Sequence, residues 1–113
     1  MNVRTQIAVK TANSGIRVLA LTDILYLKSE GRYTIISLKD NTSLETCKNL
    51  GIYEEFFKNL NFIRVHHSYI VNFQHLNEII RDSGRQYCVL FNDKMIPISN
   101  RKLSKVKEHL HYL

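Results

Sequence analysis

Residues 62–72 read Phe-Ile-Arg-Val-His-His-Ser-Tyr-Ile-Val-Asn, and this stretch decides the fold class. Strand-forming residues run up to Val65, stop at His66-His67-Ser68, and resume at Tyr69-Ile70-Val71 before Asn72, the pattern of two strands joined at a polar turn. A His-His-Ser interruption is out of place in an apolar core, so it belongs at a sheet edge or in a loop that faces a partner. A second stretch, Ile98-Ser99-Asn100-Arg101-Lys102, leaves a strand and enters a helix, again through polar and cationic groups. Two such corners can build one polar surface.

Working outward, most of the chain reads as short strands. Ile16–Leu19, Ile24–Leu27, Tyr33–Leu38 and Ser43–Thr46 are β-prone runs punctuated by Ser14-Gly15, Glu30-Gly31-Arg32 and Lys39-Asp40-Asn41. After Asn49, a side chain suited to an N-cap, Leu50, Tyr53, Phe57 and Leu60 recur at three- and four-residue spacing and predict a short amphipathic helix on a sheet. Strands follow at Ile63–Val65, Tyr69–Val71, Leu76–Ile80, Tyr87–Phe91 and Met95–Ile98, with hairpin turns at Ser83-Gly84 and Asn92-Asp93-Lys94. Ser99 is expected to cap a C-terminal helix that turns Leu103, Val106 and Leu110 inward and leaves Arg101, Lys102 and Lys105 in water. Glu54-Glu55 is expected on the outer face of the internal helix as a solvated acidic pair. The fold class is mostly β: small antiparallel sheets with one short internal helix and a C-terminal helix.

The polar surface should be basic. The chain carries 16 Lys and Arg against 10 Asp and Glu, a formal charge of +6, and its isoelectric point is about 9.5. Residues 1–60 hold 8 basic and 6 acidic side chains, residues 61–113 hold 8 and 4, so the excess lies toward the C-terminal half. Such a balance favours a polyanionic partner, because each phosphate neutralised by Lys or Arg releases condensed counterions.

At 113 residues the chain is expected to form one domain, residues 1–113, with enough core to fold alone. No apolar run approaches a membrane span and no basic-then-apolar start marks a secretory signal, so no membrane partner is expected. The two cysteines, Cys47 and Cys88, make no disulfide framework, and the cytoplasm is the expected compartment. Five histidines without cysteine pairs at close spacing do not compose a structural zinc site, and no metal or other cofactor is expected. There is no Gly-rich phosphate loop, nucleophile elbow or paired-carboxylate motif, so the chain does not read as an enzyme.

Ile24-Leu25-Tyr26-Leu27 with Glu30-Gly31-Arg32-Tyr33, then Phe62-x-Arg64-Val65-His66-x-Ser68-Tyr69-Ile70-Val71-Asn72, then Ile96-Pro97-Ile98-Ser99-x-Arg101, resembles the LytTR DNA-binding domain of bacterial transcription regulators over about residues 16–110. His67 departs from the basic or amide residue that such domains often carry there. The resemblance implies a fold of small antiparallel sheets and sequence-specific binding of duplex DNA, as the output domain of a regulator of the two-component kind. It also implies a pair of short direct repeats as target, with a dimer on DNA possible. It implies an upstream receiver or sensor domain, for which no residues remain in this chain.

Three contact segments follow from the resemblance. Arg32 and Tyr33 from the first turn, His67 from the second and Arg101 from the third are the expected base contacts; the Arg fork matches guanine O6 and N7 in the major groove. Ser68, Ser99, Asn100, Lys102 and Lys105 are the expected phosphate partners, setting register without reading sequence. Each has a plainer competitor. Arg101 could be one more solvated cation. His66 is expected to hold the turn by a hydrogen bond to a backbone carbonyl, and Asn72 to bond neighbouring backbone, so neither is counted among the contacts. The alternative to duplex DNA is a small β-domain that binds protein or single-stranded RNA, which needs exposed aromatic platforms where duplex binding needs cationic and amide tips.

Overall fold

A computed structural model describes residues 5–113. In chain order the elements are β1 (Gln6–Lys10), β2 (Ile16–Ala20), β3 (Ile24–Glu30), β4 (Tyr33–Leu38), β5 (Ser43–Thr46), α1 (Leu50–Phe56), β6 (Phe62–His66), β7 (Tyr69–Asn72), β8 (Leu76–Asp82), β9 (Arg85–Leu90), β10 (Met95–Ile98) and α2 (Leu103–Glu108). They form three antiparallel sheets: β1-β2, a central β5-β4-β3-β7-β6, and β10-β9-β8. The mostly-β architecture with two short helices is the one expected from the sequence.

Where β6 and β7 cross the central sheet both faces are buried, which is why Phe62-Ile63 and Ile70-Val71 are apolar at consecutive positions rather than alternating with polar residues. Phe62 and Ile70 join Leu27, Ile36, Leu50, Tyr53 and Phe57 in one core against β1-β2 and α1. Their neighbours Ile63, Val65 and Val71 join Cys88, Leu90, Ile96 and Val106 in a second core against β8–β10 and α2. The β6–β7 hairpin thus stands between two cores. Asn72, 2% exposed, anchors its base. The Asn72 amide donates to the carbonyls of Ile24 (2.9 Å) and Leu21 (3.3 Å) and its Oδ1 accepts from Gln74 N–H, the backbone-fixing role expected of it and one that leaves no polar atom of the amide unpaired.

Three readings need correction. β1 was not anticipated: Gln6–Lys10 buries only Ile7 and Val9, a faint alternation that becomes a strand by pairing residue for residue with β2. Ser99 does not cap α2 with its side chain; a 3-10 turn at Asn100–Lys102 intervenes, and the helix starts at Leu103. Glu55 is exposed as expected, but Glu54 is not a free surface acid: its half-exposed carboxylate is paired with Arg64. The internal helix does start where expected, with Asn49 Oδ1 accepting from Ile52 N–H, and it ends at Phe56 so that Leu60 lies in the following turn.

The thiols have opposite environments. Cys47 is exposed and Cys88 is buried, and burial pushes the Cys88 thiol up to about 12, where it holds its proton and does not act as a nucleophile. A maleimide is therefore expected to label one thiol per native molecule and the second only after denaturation. Rapid native labelling of both would show that the second core opens.

Candidate nucleic-acid interface

Strand register brings four turns to one end of the molecule. The β3–β4 hairpin closes through Gly31-Arg32 between the paired Glu30 and Tyr33. Gly31 has φ +59, the first central position of a type II′ hairpin, where a side chain would be strained. Lys28 pairs with Tyr69 across β3–β7, and Ser29 N–H donates to the Ser68 carbonyl at 2.9 Å. The Arg32 tip therefore rises beside the His66-His67-Ser68 turn.

The third turn docks through a bulge. In the β6–β7 ladder Arg64 faces Ile70 and His66 faces Tyr69, so Val65 has no partner residue. An unpaired residue of this kind leaves backbone groups free for other bonds. The Val65 carbonyl accepts the Ser99 N–H at 2.9 Å, fixing the end of β10 to the side of β6. Glu54, Arg64, His67, Ser99, Arg101 and Lys102 consequently line one groove. Because Ile98 pairs with Gln86, the fourth turn, Ser83-Gly84 at the tip of β8–β9, lies at this end too.

Within the turn, His66 Nδ1 accepts the Ser68 N–H at 3.0 Å. His66 thus holds the turn, as expected, but as an acceptor from an amide rather than a donor to a carbonyl, which places its ring proton on Nε2. His67 projects from the tip and is exposed. Arg64 binds the turn from below: its Nη2 donates to the His67 carbonyl at 2.6 Å, its Nε makes a longer 3.4 Å bond to the His66 carbonyl, and its Nη1 pairs with Glu54 Oε1 at 2.8 Å.

The anticipated contact residues mostly converge. His67, Ser99, Arg101 and Lys102 share the groove, Asn100 lies exposed in the same 3-10 turn, and Ser68 is half-buried in the histidine turn. Ser99 Oγ makes no cap bond and is open to a partner. Arg32 and Tyr33 stand on the adjacent hairpin, Tyr33 being 44% exposed. Lys105 is set apart: it lines a neighbouring groove with Glu54, Glu55 and Lys58. Among the described residues, Arg32, Arg101, Lys102 and Lys105 form no ion pair, so their charge is available to an anion.

Two features escaped sequence reading. Arg81 and Arg85 flank the Ser83-Gly84 tip, exposed, at the same end of the molecule; the available signal was a pair of arginines bracketing a turn. Arg64 reads in sequence as one more strand cation, and no spacing announces its pairing with a glutamate ten residues away on α1. Among the described residues no cluster of three or more His, Cys, Asp or Glu is placed to hold a metal ion, and no helix is long and apolar enough to cross a membrane. Exposed aromatics are scattered, with Phe91 and Tyr112 both well exposed but neither on the four turns.

A β-scaffold with unpaired cations gathered on the turns at one end is suited to grip a polyanion rather than to perform chemistry in a cleft. Residues 14–111 match the model of the LytTr DNA-binding domain, and the chain belongs to that family, one of DNA-binding domains and not of enzymes. The transcriptional regulatory protein BtsR of Escherichia coli K12 is 28% identical over 99 residues, covering 87% of this chain and 40% of that protein; BtsR of Shigella flexneri matches to the same extent. The chain thus spans about 40% of the length of these curated relatives. A solved structure of the LytTr DNA-binding domain of a putative methyl-accepting/DNA response regulator from Bacillus cereus superposes with TM-score 0.82 at 22% identity, over 97% of this chain and 100% of that one. At that identity the likeness is one of fold.

Proposed function

We propose that this chain binds duplex DNA sequence-specifically as the single-domain output module of a bacterial transcription regulator, of the two-component kind, in the cytoplasm. In this reading Arg101 and His67 reach base edges in one major groove and Arg32 and Tyr33 reach them in a neighbouring one. Ser68, Ser99, Asn100, Lys102 and Lys105 hold the phosphates between. Two copies occupy a pair of short direct repeats, and a receiver or sensor domain elsewhere in the regulator controls them. The observation that carries the reading is the Ser99–Val65 backbone bond, which sets Arg101 and Lys102 beside His67 as unpaired cations on one edge. Arg81 and Arg85 extend the same edge and are suited to phosphate.

The test is selection of a binding site from random duplex DNA, followed by competition and a salt series. The selected duplex should outcompete both scrambled duplex and single-stranded RNA, and log affinity should fall against log salt with a slope of several units, about 0.9 per phosphate neutralised. Preferential binding of single-stranded RNA would overturn the duplex reading and favour a single-strand binder.

A further inference from the structure

Arg64 differs from Arg32, Arg101 and Lys102 at the binding end because its guanidinium is spent on the protein. All three of its nitrogens have partners: Glu54 Oε1, the His67 carbonyl and the His66 carbonyl. Its side chain is 18% exposed against 38% for Glu54. The rigid planar fork of Arg suits this triple role, which a point-charge Lys cannot reproduce. Glu54 itself lines the same groove as Arg101 and Lys102. A carboxylate there opposes the approach of phosphate, so its contribution to affinity for any DNA is unfavourable. Its place in the groove is accounted for by what it does to Arg64: it aims the guanidinium at the turn carbonyls and withholds it from solvent and phosphate.

We propose that Glu54 and Arg64 are a positioning pair that fixes the His66–Ser68 turn for sequence discrimination at the expense of non-specific affinity. The pair touches no base. It acts through the turn that carries His67, and this inference rests on the duplex-DNA reading above.

Two variants separate the roles of charge and fork. Glu54→Gln keeps the side-chain shape and removes the charge, releasing Arg64 toward the groove. Its affinity for scrambled duplex should rise, its salt slope should steepen by about one unit, and its preference for the selected site over scrambled duplex should fall by about 2- to 30-fold, the range for residues acting through a neighbour. Arg64→Lys keeps the net charge and removes the fork, so preference should fall while scrambled-duplex affinity changes little. In the free protein, both variants should show faster hydrogen exchange at the Ser68 amide, bonded to His66 Nδ1, and at the Ser29 amide, bonded to the Ser68 carbonyl. A purely structural role would weaken selected and scrambled duplex alike with the ratio intact, and that result overturns the proposal. Should the wild-type protein prefer no duplex, the duplex-DNA reading fails by itself. The exchange rates then judge the pair: unchanged rates in both variants overturn it, and faster rates uphold its hold on the turn.

Discussion

Phe57→Ala is expected to cost about 3–5 kcal/mol of folding stability, the range for emptying a fully buried aromatic site. Phe57 is 0% exposed and is the residue on which α1 closes. Its ring stacks on Phe62 of β6 with centroids 4.0 Å apart and planes at 12°, meets Phe56 edge-on at 5.3 Å, and lies 6.3 Å from Tyr53. Each such pair adds to simple area burial. Because small domains are stable by only about 5–15 kcal/mol, the loss is a large fraction of the total. Urea unfolding followed by circular dichroism measures it directly. A shift under about 1 kcal/mol, the size of an ordinary surface change, would mean that α1 does not dock on β6 through this ring.

Arg101→Ala is expected to cost about 1–3 kcal/mol on the selected duplex, with preference relaxed at one base pair, while thermal melting moves little. Arg101 is exposed in the middle of the Asn100–Lys102 turn and contributes no core contact, so the effect should be read entirely in binding. Lys105→Ala is the contrasting case. A phosphate partner should weaken all sequences alike and flatten the salt slope by about one unit. Lys105 lies in the groove it shares with Glu54 and Glu55, where a bound phosphate would also face two carboxylates. Titrating both variants against selected and scrambled duplex across a salt series decides the roles. Equal losses on the two duplexes for Arg101→Ala would reassign Arg101 to phosphate.

Local signals carried much of this fold because local rules suffice for them. The Gly31-Arg32 and Ser83-Gly84 tips lie where a positive φ is required, with Gly31 at +59, Ser83 at 52 and Gly84 at 80, and glycine announces such positions from sequence alone. Asn49 accepts from the backbone N–H three residues on and Asn72 from the one two residues on, as short polar side chains do, whereas the Leu21 and Ile24 carbonyls that take the Asn72 amide lie 51 and 48 residues away. What was not legible depends on partners distant in sequence. β1 is a strand because β2 lies beside it, and its own pattern has only two inward residues. The 3-10 turn at Asn100–Lys102 differs from a first helical turn by one residue of hydrogen-bond spacing, a distinction that propensity does not carry. Arg101, His67 and the Ser99 corner could be singled out as candidates from their motif. That they share one groove follows from the Val65 bulge, and the Glu54–Arg64 pair from the docking of α1, neither of which spacing reveals.

The position of the β6–β7 hairpin between two cores has a consequence for engineering. A strand with one wet face offers every second side chain for variation. Here both faces are committed, and the free positions near the hairpin are at its tip and on the turns docked against it. Binding preference should therefore be retargetable by exchanging a handful of side chains, at positions 32, 33, 67 and 101, as interchangeable bits on a fixed handle. A library confined to those four positions would vary what is read while leaving untouched the residues that make the reader a solid object.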